Sequence, residues 1–292
     1  MATCEHILDF YRSPAKMTSV GGYALQVALL SRDVAALARI VQGLLLHEHI
    51  APAYGVELSD WRRSETHTRS AEEILERAVR HDHRPLAEAR SLEDRVIGTC
   101  RNFTVLLVSM LRAQGTPARA RCGFAAYFEP GRFIDHWVAE TWDAARSRWV
   151  RVDAQIDDVQ RSLFTVEFDP LDVPRDRFLD AGDAWARCRC GALDPDVCGI
   201  LDMHGLWFVA GNVVRDAAAL NNMEMLPWDC WGAMGRPGEA IPDGQLAFFD
   251  RLANLTRDPD VGFDELRACY ASEAIKVPGT VFNAVLNRPD VV

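Results

Sequence analysis

The chain has 292 residues, of which 49% are hydrophobic and 25% charged, and its formal net charge is −10. Such a chain is long enough to form one large or two small domains around a sizeable core. Its arginines lie among acidic neighbours and do not cluster, so the sequence lacks the basic surface that nucleic-acid binding requires. Nucleic acid is therefore discounted as a partner.

The sequence also argues against a secreted or membrane location. The N-terminal segment MATCEHILDFYRSPAK has no basic stretch followed by an apolar one, and no run approaches the ~18 apolar residues of a membrane span. We expect a cytoplasmic protein with no membrane partner, in which the cysteines stay reduced. The cysteines are Cys4, Cys100, Cys122, Cys188, Cys190, Cys198, Cys230 and Cys269.

The first third of the chain carries helical patterns. Apolar residues recur at helical spacing over residues 33–49 and again over residues 71–79, which predicts two helices. Ser91 is followed three residues later by Asp94, the form of a capping box, so we expect a short helix just before Cys100. No repeats or flexible linkers interrupt the sequence, which favours one integrated domain.

The helix predicted to begin at Cys100 has one apolar face. Gly115 and Pro117 mark its end, because glycine often follows a helix and proline cannot continue one. Cys100 therefore lies in the first turn, where unpaired backbone N–H groups and the positive end of the helix dipole stabilise an anion, including a developing oxyanion. The apolar face consists of Phe103, Leu106, Leu107, Met110 and Leu111.

Three strand-like runs rich in Val, Trp, Phe and Thr follow this helix. The last two are predicted to form a hairpin in which Trp142 pairs with Ser147. In that antiparallel register His136 lies directly opposite Asp153 on the same face, and a slip of two residues leaves them diagonal neighbours. The three runs cover residues 118–124, 136–142 and 149–154.

Cys100, His136 and Asp153 have the types and the order that catalysis by a thiol nucleophile requires. A thiol attacks a carbonyl as the thiolate, so it needs a base within hydrogen-bond reach and a third group that orients the base. Taken singly, each residue is more typical of a structural role. Their joint occurrence favours catalysis, with Glu140 as the competing carboxylate because it lies on the His136 face of the strand.

One set of residues suggests a zinc site as an alternative. Three cysteines and a histidine in the C-terminal part could supply four ligands, but they lack the paired spacing of zinc motifs. Buried free cysteines are the default interpretation, and no metal is predicted. The four residues are Cys188, Cys190, Cys198 and His204.

The segment of residues 212–231 mixes polar with apolar side chains, as a pocket wall does. The alternative is that Arg215 and Asp216 form a structural ion pair and that Trp228 fills the core. A small pocket of mixed polarity would favour a small molecule or a carrier-bound acyl group over a protein glutamine. The candidate substrate-binding residues are Glu65, His67, Arg69, Trp137, Glu140, Gln155, Asn212, Arg215 and Trp228.

The catalytic triplet lies in motifs that resemble those of the transglutaminase-like superfamily. The similarity covers roughly residues 95–157, and the flanks also resemble a group of bacterial proteins that share this core. The core motifs are Gly98-Thr-Cys-Arg-Asn-Phe103, Gly115-Thr-Pro-Ala-Arg119, His136-Trp-Val138 and Trp149-Val-Arg-Val-Asp153. The flanking motifs are Val41-Gln-Gly43, Arg63-Ser-Glu65-x-His67-x-Arg69, Gly205-Leu-Trp-Phe-Val209 and Leu226-Pro-Trp-Asp229.

This resemblance implies an α+β fold with a transglutaminase-like, papain-like cysteine protease core, in which the helix bearing the cysteine packs on an antiparallel sheet. The expected parts are a helical N-terminal extension (residues 1–90), the catalytic core (91–165) and a mainly helical part that covers the site (166–292). The resemblance also implies acyl transfer through a thioester without a cofactor. Cys100 would be the nucleophile, His136 the general base and then acid, and Asp153 the residue that holds His136.

The superfamily fixes the chemistry better than the substrate, because it includes crosslinkers, peptidases, deglycosylating amidases and amide-forming enzymes. We favour an enzyme that cleaves or forms amide bonds on a small amide, a peptide or a carrier-bound thioester, and a homodimer is compatible with the sequence. The alternatives are a peptidase or protein-crosslinking transglutaminase, and a non-catalytic binding protein. Arylamine N-acetyltransferases share the triad order, but they have a glycine pair before the cysteine where this chain has Gly98-Thr99.

Overall fold

The structure is a computed structural model that describes residues 5–292. These residues form two compact units, each built from separate stretches of chain. Unit 1 contains residues 5–120 and Val138–Val173, and unit 2 contains Arg121–Trp137 and Pro174–Val292. The three-part division expected from the sequence has different boundaries and stays a prediction. Cys4 lies outside the described residues.

Helices and strands are mixed along the described chain, which confirms the predicted α+β class. None of the helices within residues 5–292 is long and apolar enough to cross a membrane. The helices are α1 Glu5–Arg12, α2 Ala24–Ala28, α3 Val34–Leu44, α4 Asp60–Arg63, α5 Ala71–His81, α6 Cys100–Ala113, α7 Asp158–Leu163, α8 Ala181–Arg189, α9 Leu206–Leu220, α10 Asp243–Arg257 and α11 Phe263–Tyr270. The strands are β1 Leu45–His47, β2 Val96–Gly98, β3 Ala118–Ala125, β4 Phe133–Asp143, β5 Arg148–Val152, β6 Phe178–Asp180, β7 Cys198–Ile200, β8 Met203–His204, β9 Asp229–Cys230, β10 Thr280–Asn283 and β11 Arg288–Val291.

The α6 helix forms the core of unit 1. It is buried from Cys100 to Arg112, and α1, α2, α3 and α5 pack against it. The helix predicted over residues 33–49 is the shorter α3, which Asp33 caps by accepting the Ala36 N–H at 2.9 Å. The chain then continues as β1, which pairs in parallel with β2 and so brings His47 opposite Gly98, just before α6.

A capping box forms at α5, where none was predicted, and does not form at Ser91, where one was predicted. Ser70 and Glu73 form a complete capping box at the start of α5. The short helix predicted before Cys100 is a single 3-10 turn, Leu92–Asp94. There the Ser91 hydroxyl donates to the Asp94 carboxylate at 2.6 Å, so neither side chain caps a helix.

The β4–β5 hairpin forms as predicted, but its register was wrong by two residues. Trp142 pairs with Trp149 and not with Ser147. The Asp143 carboxylate accepts two backbone N–H groups of the turn at 3.0 and 3.1 Å, which places the turn after Asp143. Ser147 has a φ of 50°, which suits a turn and not a strand. As a result β5 ends one residue before Asp153.

Unit 2 contains a mixed sheet and a helical layer. The strand order is β6-β3-β4-β7-β8, and the start of β4 pairs in parallel with β7 whereas β3–β6 and β7–β8 are antiparallel. The expected antiparallel sheet therefore includes one parallel pair. The α9 helix is buried from Phe208 to Leu220 and packs against α8, α10 and α11. A second, antiparallel sheet has the order β11-β10-β9.

Candidate functional site

Cys100 is held at the start of α6 in unit 1. Thr99 joins β2 to the helix, and both its N–H and its hydroxyl donate to Asn102 Oδ1, at 2.9 and 3.0 Å. Asn102 in turn donates to the Thr68 carbonyl at 2.9 Å. Cys100 is 7% exposed. These contacts hold Cys100 in the first turn of α6, where the Asn102 N–H donates to the Thr99 carbonyl at 2.8 Å and the two N–H groups before it have no carbonyl of the helix to bond to.

Glu65, a candidate substrate-binding residue, contacts the strand that leads to Cys100. Its buried carboxylate accepts the Ile97 N–H at 2.8 Å and lies 3.2 Å from Arg62 and 3.1 Å from His81. Since Ile97 belongs to β2, these contacts position the segment just before α6. A role for Glu65 in substrate binding stays a prediction.

Arg69 and His67, two further candidates, lie in the segment that follows Glu65. The Arg69 carbonyl accepts a hydrogen bond from the buried Arg101 guanidinium at 2.5 Å, so this segment supports the first turn of α6. Arg69 is itself buried, and His67 is half-buried. Their binding roles stay predictions as well.

Asp153 lies directly after β5 in unit 1 and is 1% exposed. Its N–H donates to the Pro170 carbonyl at 2.8 Å, and its Oδ1 accepts the Gln155 N–H at 3.0 Å. This local turn is a form that aspartate commonly adopts. The carboxylate of the predicted orienting residue is thus fixed by backbone contacts.

Glu140, the competing carboxylate, lies between two arginines of unit 1. Its oxygens are 2.7 Å from the Arg119 Nε and 3.3 Å from the Arg151 Nε, and all three residues are buried. The Arg119 guanidinium also lies 4.1 Å from the Trp149 ring centroid and 5.1 Å from that of Tyr11. These contacts are those of a structural ion-pair cluster.

A narrow cleft that encloses almost no free volume lies in unit 1 next to α6. Phe103, one turn after Cys100, lines it. Gln155 also lines it and donates to Gln160 at 2.9 Å, while its buried Oε1 accepts no hydrogen bond from residues 5–292. Tyr54 donates to Asp157 at 2.7 Å. Burial, and to a smaller extent this hydrogen bond, raise the pKa of Tyr54 above its usual range. The phenol therefore stays protonated near neutral pH.

His136, in unit 2, lies in a cluster of aromatic rings. Its ring centroid is 4.8 Å from that of Phe128, 5.9 Å from that of Tyr127 and 6.4 Å from that of Phe178, all in edge-to-face geometry. His136 and the adjacent Trp137, a candidate binding residue, are each 1% exposed. The imidazole orientation is thus restricted by packing.

Asp135 connects β4 to α9 through a buried polar network that the sequence did not reveal. Asn212 donates to its carboxylate at 2.7 Å, and Arg215 donates to Asn212 at 3.0 Å and to the Asp229 carbonyl at 3.2 Å. The candidate binding residues Asn212 and Arg215 therefore contact each other, and Asn212 also contacts the strand that carries His136. Burial raises the pKa of Asp135, although Arg215, the Asn212 hydrogen bond and His136 oppose the shift.

This raised pKa predicts how stability depends on pH. The folded state holds the Asp135 proton more tightly than the unfolded state, so the group stabilises the fold most below pH about 4 and less as the pH rises through its raised pKa. We expect the free energy of unfolding of Asp135→Asn, relative to wild type, to increase from pH about 4 to 7. Urea unfolding at several pH values measures this difference. A difference that stays flat or falls with pH contradicts the prediction.

The ion pair between Arg215 and Asp216, considered as an alternative interpretation of the sequence, does not form. Asp216 instead pairs with Arg121, whose Nε and Nη2 lie 3.0 and 2.9 Å from its two oxygens, and Arg121 also donates to the Thr256 carbonyl at 2.7 Å. Consecutive residues of a helix point in different directions, so a side-by-side pair does not form. Trp228, expected in the core under the same alternative, is half-buried.

The suggested zinc ligands do not assemble. Among residues 5–292 no group of three or more His, Cys, Asp or Glu residues is arranged to hold a metal ion. Cys190 is exposed, and the His204 Nδ1 lies 3.3 Å from the Asp196 carboxylate. Interaction with Cys198 lowers the pKa of Cys188, and interaction with Cys188 together with burial raises the pKa of Cys198.

Gln42 is a residue near the candidate site that sequence reasoning missed. Its side-chain amide donates to the carbonyls of Ala154 and Ile156, both at 3.2 Å, and so holds the backbone that follows Asp153. The available signal was its place in the Val41-Gln-Gly43 motif. His47 and Arg95 also line the cleft; no motif pointed to Arg95.

A comparison with protein-family models gives one match. The model of the transglutaminase-like superfamily matches residues 56–154, a segment that contains Cys100, His136 and Asp153. No curated protein matches the chain.

Two solved structures are similar to parts of the chain. One is a candidate cysteine protease from Cytophaga hutchinsonii, with 18% identity, a TM-score of 0.35, and coverage of 62% of this chain and 50% of that one. The other is red sea bream transglutaminase, with 16% identity, a TM-score of 0.30, and coverage of 44% of this chain and 22% of that one. The matched regions thus span half and about a fifth of those proteins.

Proposed function

Because residues 56–154 belong to the transglutaminase-like superfamily, we propose that this chain catalyses acyl transfer or hydrolysis through a thioester on a cysteine. The proposed substrate is a small amide, a peptide or a carrier-bound thioester, so the reaction makes or cleaves an amide bond or consumes a thioester. The observation that carries the proposal is the position of Cys100. It is buried in the first turn of α6, a helix start capped by Thr99 and Asn102, and it lies inside the matched segment.

The first step of the proposed mechanism forms the acyl-enzyme. The Cys100 thiolate attacks the carbonyl carbon of the substrate, and the electron pair of the C=O bond moves onto oxygen. The first-turn N–H groups of α6 are suited to stabilise that negative charge. When the intermediate collapses, the bond to the amine or thiol leaving group breaks and a thioester remains on Cys100.

His136 and Asp153 have the proton-transfer roles in this proposal. His136 takes the thiol proton and gives it to the leaving group, and then activates the water or amine that attacks the thioester. Asp153 orients the imidazole and stabilises its charged form. The backbone contacts that fix Asp153, and the aromatic rings that restrict His136, support these assignments.

The preference for a small substrate rests on the residues that line the cleft beside α6, since the cleft itself encloses almost no free volume. Phe103 supplies an apolar wall one turn from Cys100, and Gln155 supplies a buried acceptor for a substrate N–H. This combination suits a short acyl group that carries an amide better than a folded protein surface.

The test is direct detection of the acyl-enzyme. Purified protein is incubated with small amides, short peptides and acyl thioesters, quenched in acid and weighed intact by mass spectrometry. We expect the mass of one acyl group to appear on the Cys100 peptide of wild type and to be absent from Cys100→Ala. Acylation or turnover that is unchanged in Cys100→Ala would contradict the proposal. Acylation by long peptides alone would redirect it to a peptidase or crosslinking enzyme.

Cytoplasmic location and a homodimeric state stay predictions from the sequence. The proposed chemistry uses only protein side chains, since a thiol, an imidazole and a carboxylate suffice for acyl transfer.

A further inference from the structure

Three ionisable side chains of unit 1, those of Arg62, Glu65 and His81, form a cluster beside the strand that leads to Cys100. Glu65 is the central member, because its buried Oε1 lies 3.2 Å from the Arg62 Nε and 3.1 Å from the His81 Nε2. Its second oxygen, Oε2, accepts the Ile97 N–H of β2 at 2.8 Å. The carboxylate therefore connects the two neighbouring side chains to the strand.

Arg62 and His81 also bind the backbone just before β2. The Arg62 guanidinium donates to the Glu93 carbonyl at 2.5 Å and to the Arg95 carbonyl. The His81 Nδ1 lies 3.2 Å from the Asp94 carbonyl, and it carries the hydrogen of this bond because a carbonyl oxygen only accepts. Together with the carboxylate contact, the cluster binds four backbone groups within five consecutive residues.

The segment that contains Glu65 also holds the chain on the other side of Cys100. The Thr68 N–H and hydroxyl donate to the Glu65 carbonyl at 3.0 and 2.7 Å. The Thr68 carbonyl in turn accepts the Asn102 side-chain amide at 2.9 Å. Cys100 thus lies between two points, Ile97 and Asn102, that are anchored to one short segment of chain.

On the basis of the acyl transfer proposed for Cys100, we propose that Arg62, Glu65 and His81 are positioning residues for this reaction. They fix the direction in which α6 begins, and with it the thiol and the N–H groups of the first turn. Glu65 acts through the backbone of Ile97 and not by contact with the substrate.

The energetics of the cluster suit this role. Replacing a buried ionic group by apolar residues of similar volume is often neutral for stability, so what the cluster supplies is a fixed backbone geometry. Reacting groups need that precision, because a displacement of about 1 Å can lower a rate about 100-fold. The cluster therefore bears on the rate of the reaction more than on the binding of substrate.

The first test is hydrogen exchange of the Ile97 amide, measured by NMR on the full chain labelled with 15N-isoleucine, with Ile97→Val to identify the signal. Glu65→Leu removes the acceptor and should abolish the protection of this amide, whereas Glu65→Gln keeps an oxygen for it and should retain most of the protection. His81→Ala, at a half-buried position, should lose part of it. Unchanged protection in Glu65→Leu would overturn the inference, whether or not the chain catalyses acyl transfer.

The second test is steady-state kinetics at a temperature where circular dichroism shows each variant folded. Glu65→Leu should lower kcat about 10- to 100-fold with KM changed less than about twofold, and Glu65→Gln should restore most of kcat. A raised KM with wild-type kcat would make Glu65 a substrate-binding residue and overturn the inference. Wild-type kcat in a variant that melts earlier would also overturn it, because the cluster would then only stabilise the fold.

Two matched controls repeat the substitutions at exposed positions of the same unit. Glu57→Leu and His83→Ala should leave both the Ile97 exchange and kcat unchanged. Losses as large as those of Glu65→Leu and His81→Ala would contradict a specific role of the cluster. If wild type turns over no substrate, the proposed function fails, while the exchange measurement still decides whether the cluster holds β2. If Glu65→Leu does not fold, Glu65→Gln and His81→Ala supply the same comparison.

Discussion

Replacing Cys100 by alanine is expected to abolish turnover of any substrate that acylates the enzyme, and replacing His136 by alanine to lower kcat/KM about 10³- to 10⁴-fold. The reason is that the thiolate and its base act as one unit. The double variant should therefore be no slower than the slower single variant. Steady-state kinetics on the substrate found by acyl-enzyme detection measure these losses.

Two isosteric variants identify the carboxylate that orients His136. Asp153→Asn should lower kcat about 10²-fold or more with little change in KM, because the imidazole loses its orienting charge. Glu140→Gln should mainly weaken the fold, since Glu140 contacts Arg119 and Arg151. Cys190→Ser, at an exposed position, is the control for nonspecific effects.

A Cys100→Ala protein that keeps a tenth of wild-type kcat/KM would rule out the nucleophile assignment.

Asp216→Ala is expected to destabilise the protein by about 3–5 kcal/mol, the typical result of removing one partner of a buried ion pair. The substitution removes the two-pronged partner of the buried Arg121 guanidinium, which keeps Asp180 at 3.4 Å. It also removes the acceptor of the Cys122 N–H, which lies 2.9 Å from the Asp216 carboxylate. Urea unfolding followed by tryptophan fluorescence measures the free energy of unfolding.

An exposed pair supplies the matched control for this prediction. Arg148 and Asp172 also form a two-pronged contact, at 3.2 and 2.5 Å, but each side chain is 43% exposed. Asp172→Ala should therefore cost less than about 1 kcal/mol. If Asp216→Ala cost no more than Asp172→Ala, the Arg121–Asp216 pair would not have the structural importance assigned to it here.

The parts of the fold that depend on local sequence were predictable. The start and end of α6 followed from the apolar face after Cys100 and from Gly115, whose φ is 82° in the structure. The helix predicted over residues 71–79 from its apolar spacing corresponds in the same way to α5. In each case the residues that decide the element lie within a few positions of one another.

The hairpin register shows where local reasoning stops. Strand periodicity placed the correct faces together but left the register open in steps of two residues. The choice depended on which residue began the turn, and the Asp143 carboxylate settled it by binding two turn N–H groups. An aspartate at this position is a turn signal that could have been used.

Long-range polar pairs were beyond sequence reasoning. Arg121 and Asp216 are 95 residues apart, and Asp135 and Asn212 are 77 apart. One chain offers many arginines and aspartates, and nothing in their spacing tells which pairs will be buried together. The interpretation of Arg215 and Asp216 as partners failed for this reason. For the candidate triad, motif order supplied a long-range grouping that spacing alone lacks, and this grouping stays a prediction.

The rate of Cys100 alkylation by iodoacetamide as a function of pH, compared between wild type and His136→Ala at the Cys100 peptide, tests whether Cys100 is an activated nucleophile. An ordinary thiol is half ionised at pH about 8.5. We expect fast labelling of wild type well below that pH and loss of the fast labelling in the variant. Labelling no faster than that of the other cysteines, and unaffected by His136→Ala, would make Cys100 a structural thiol and contradict the proposed enzyme.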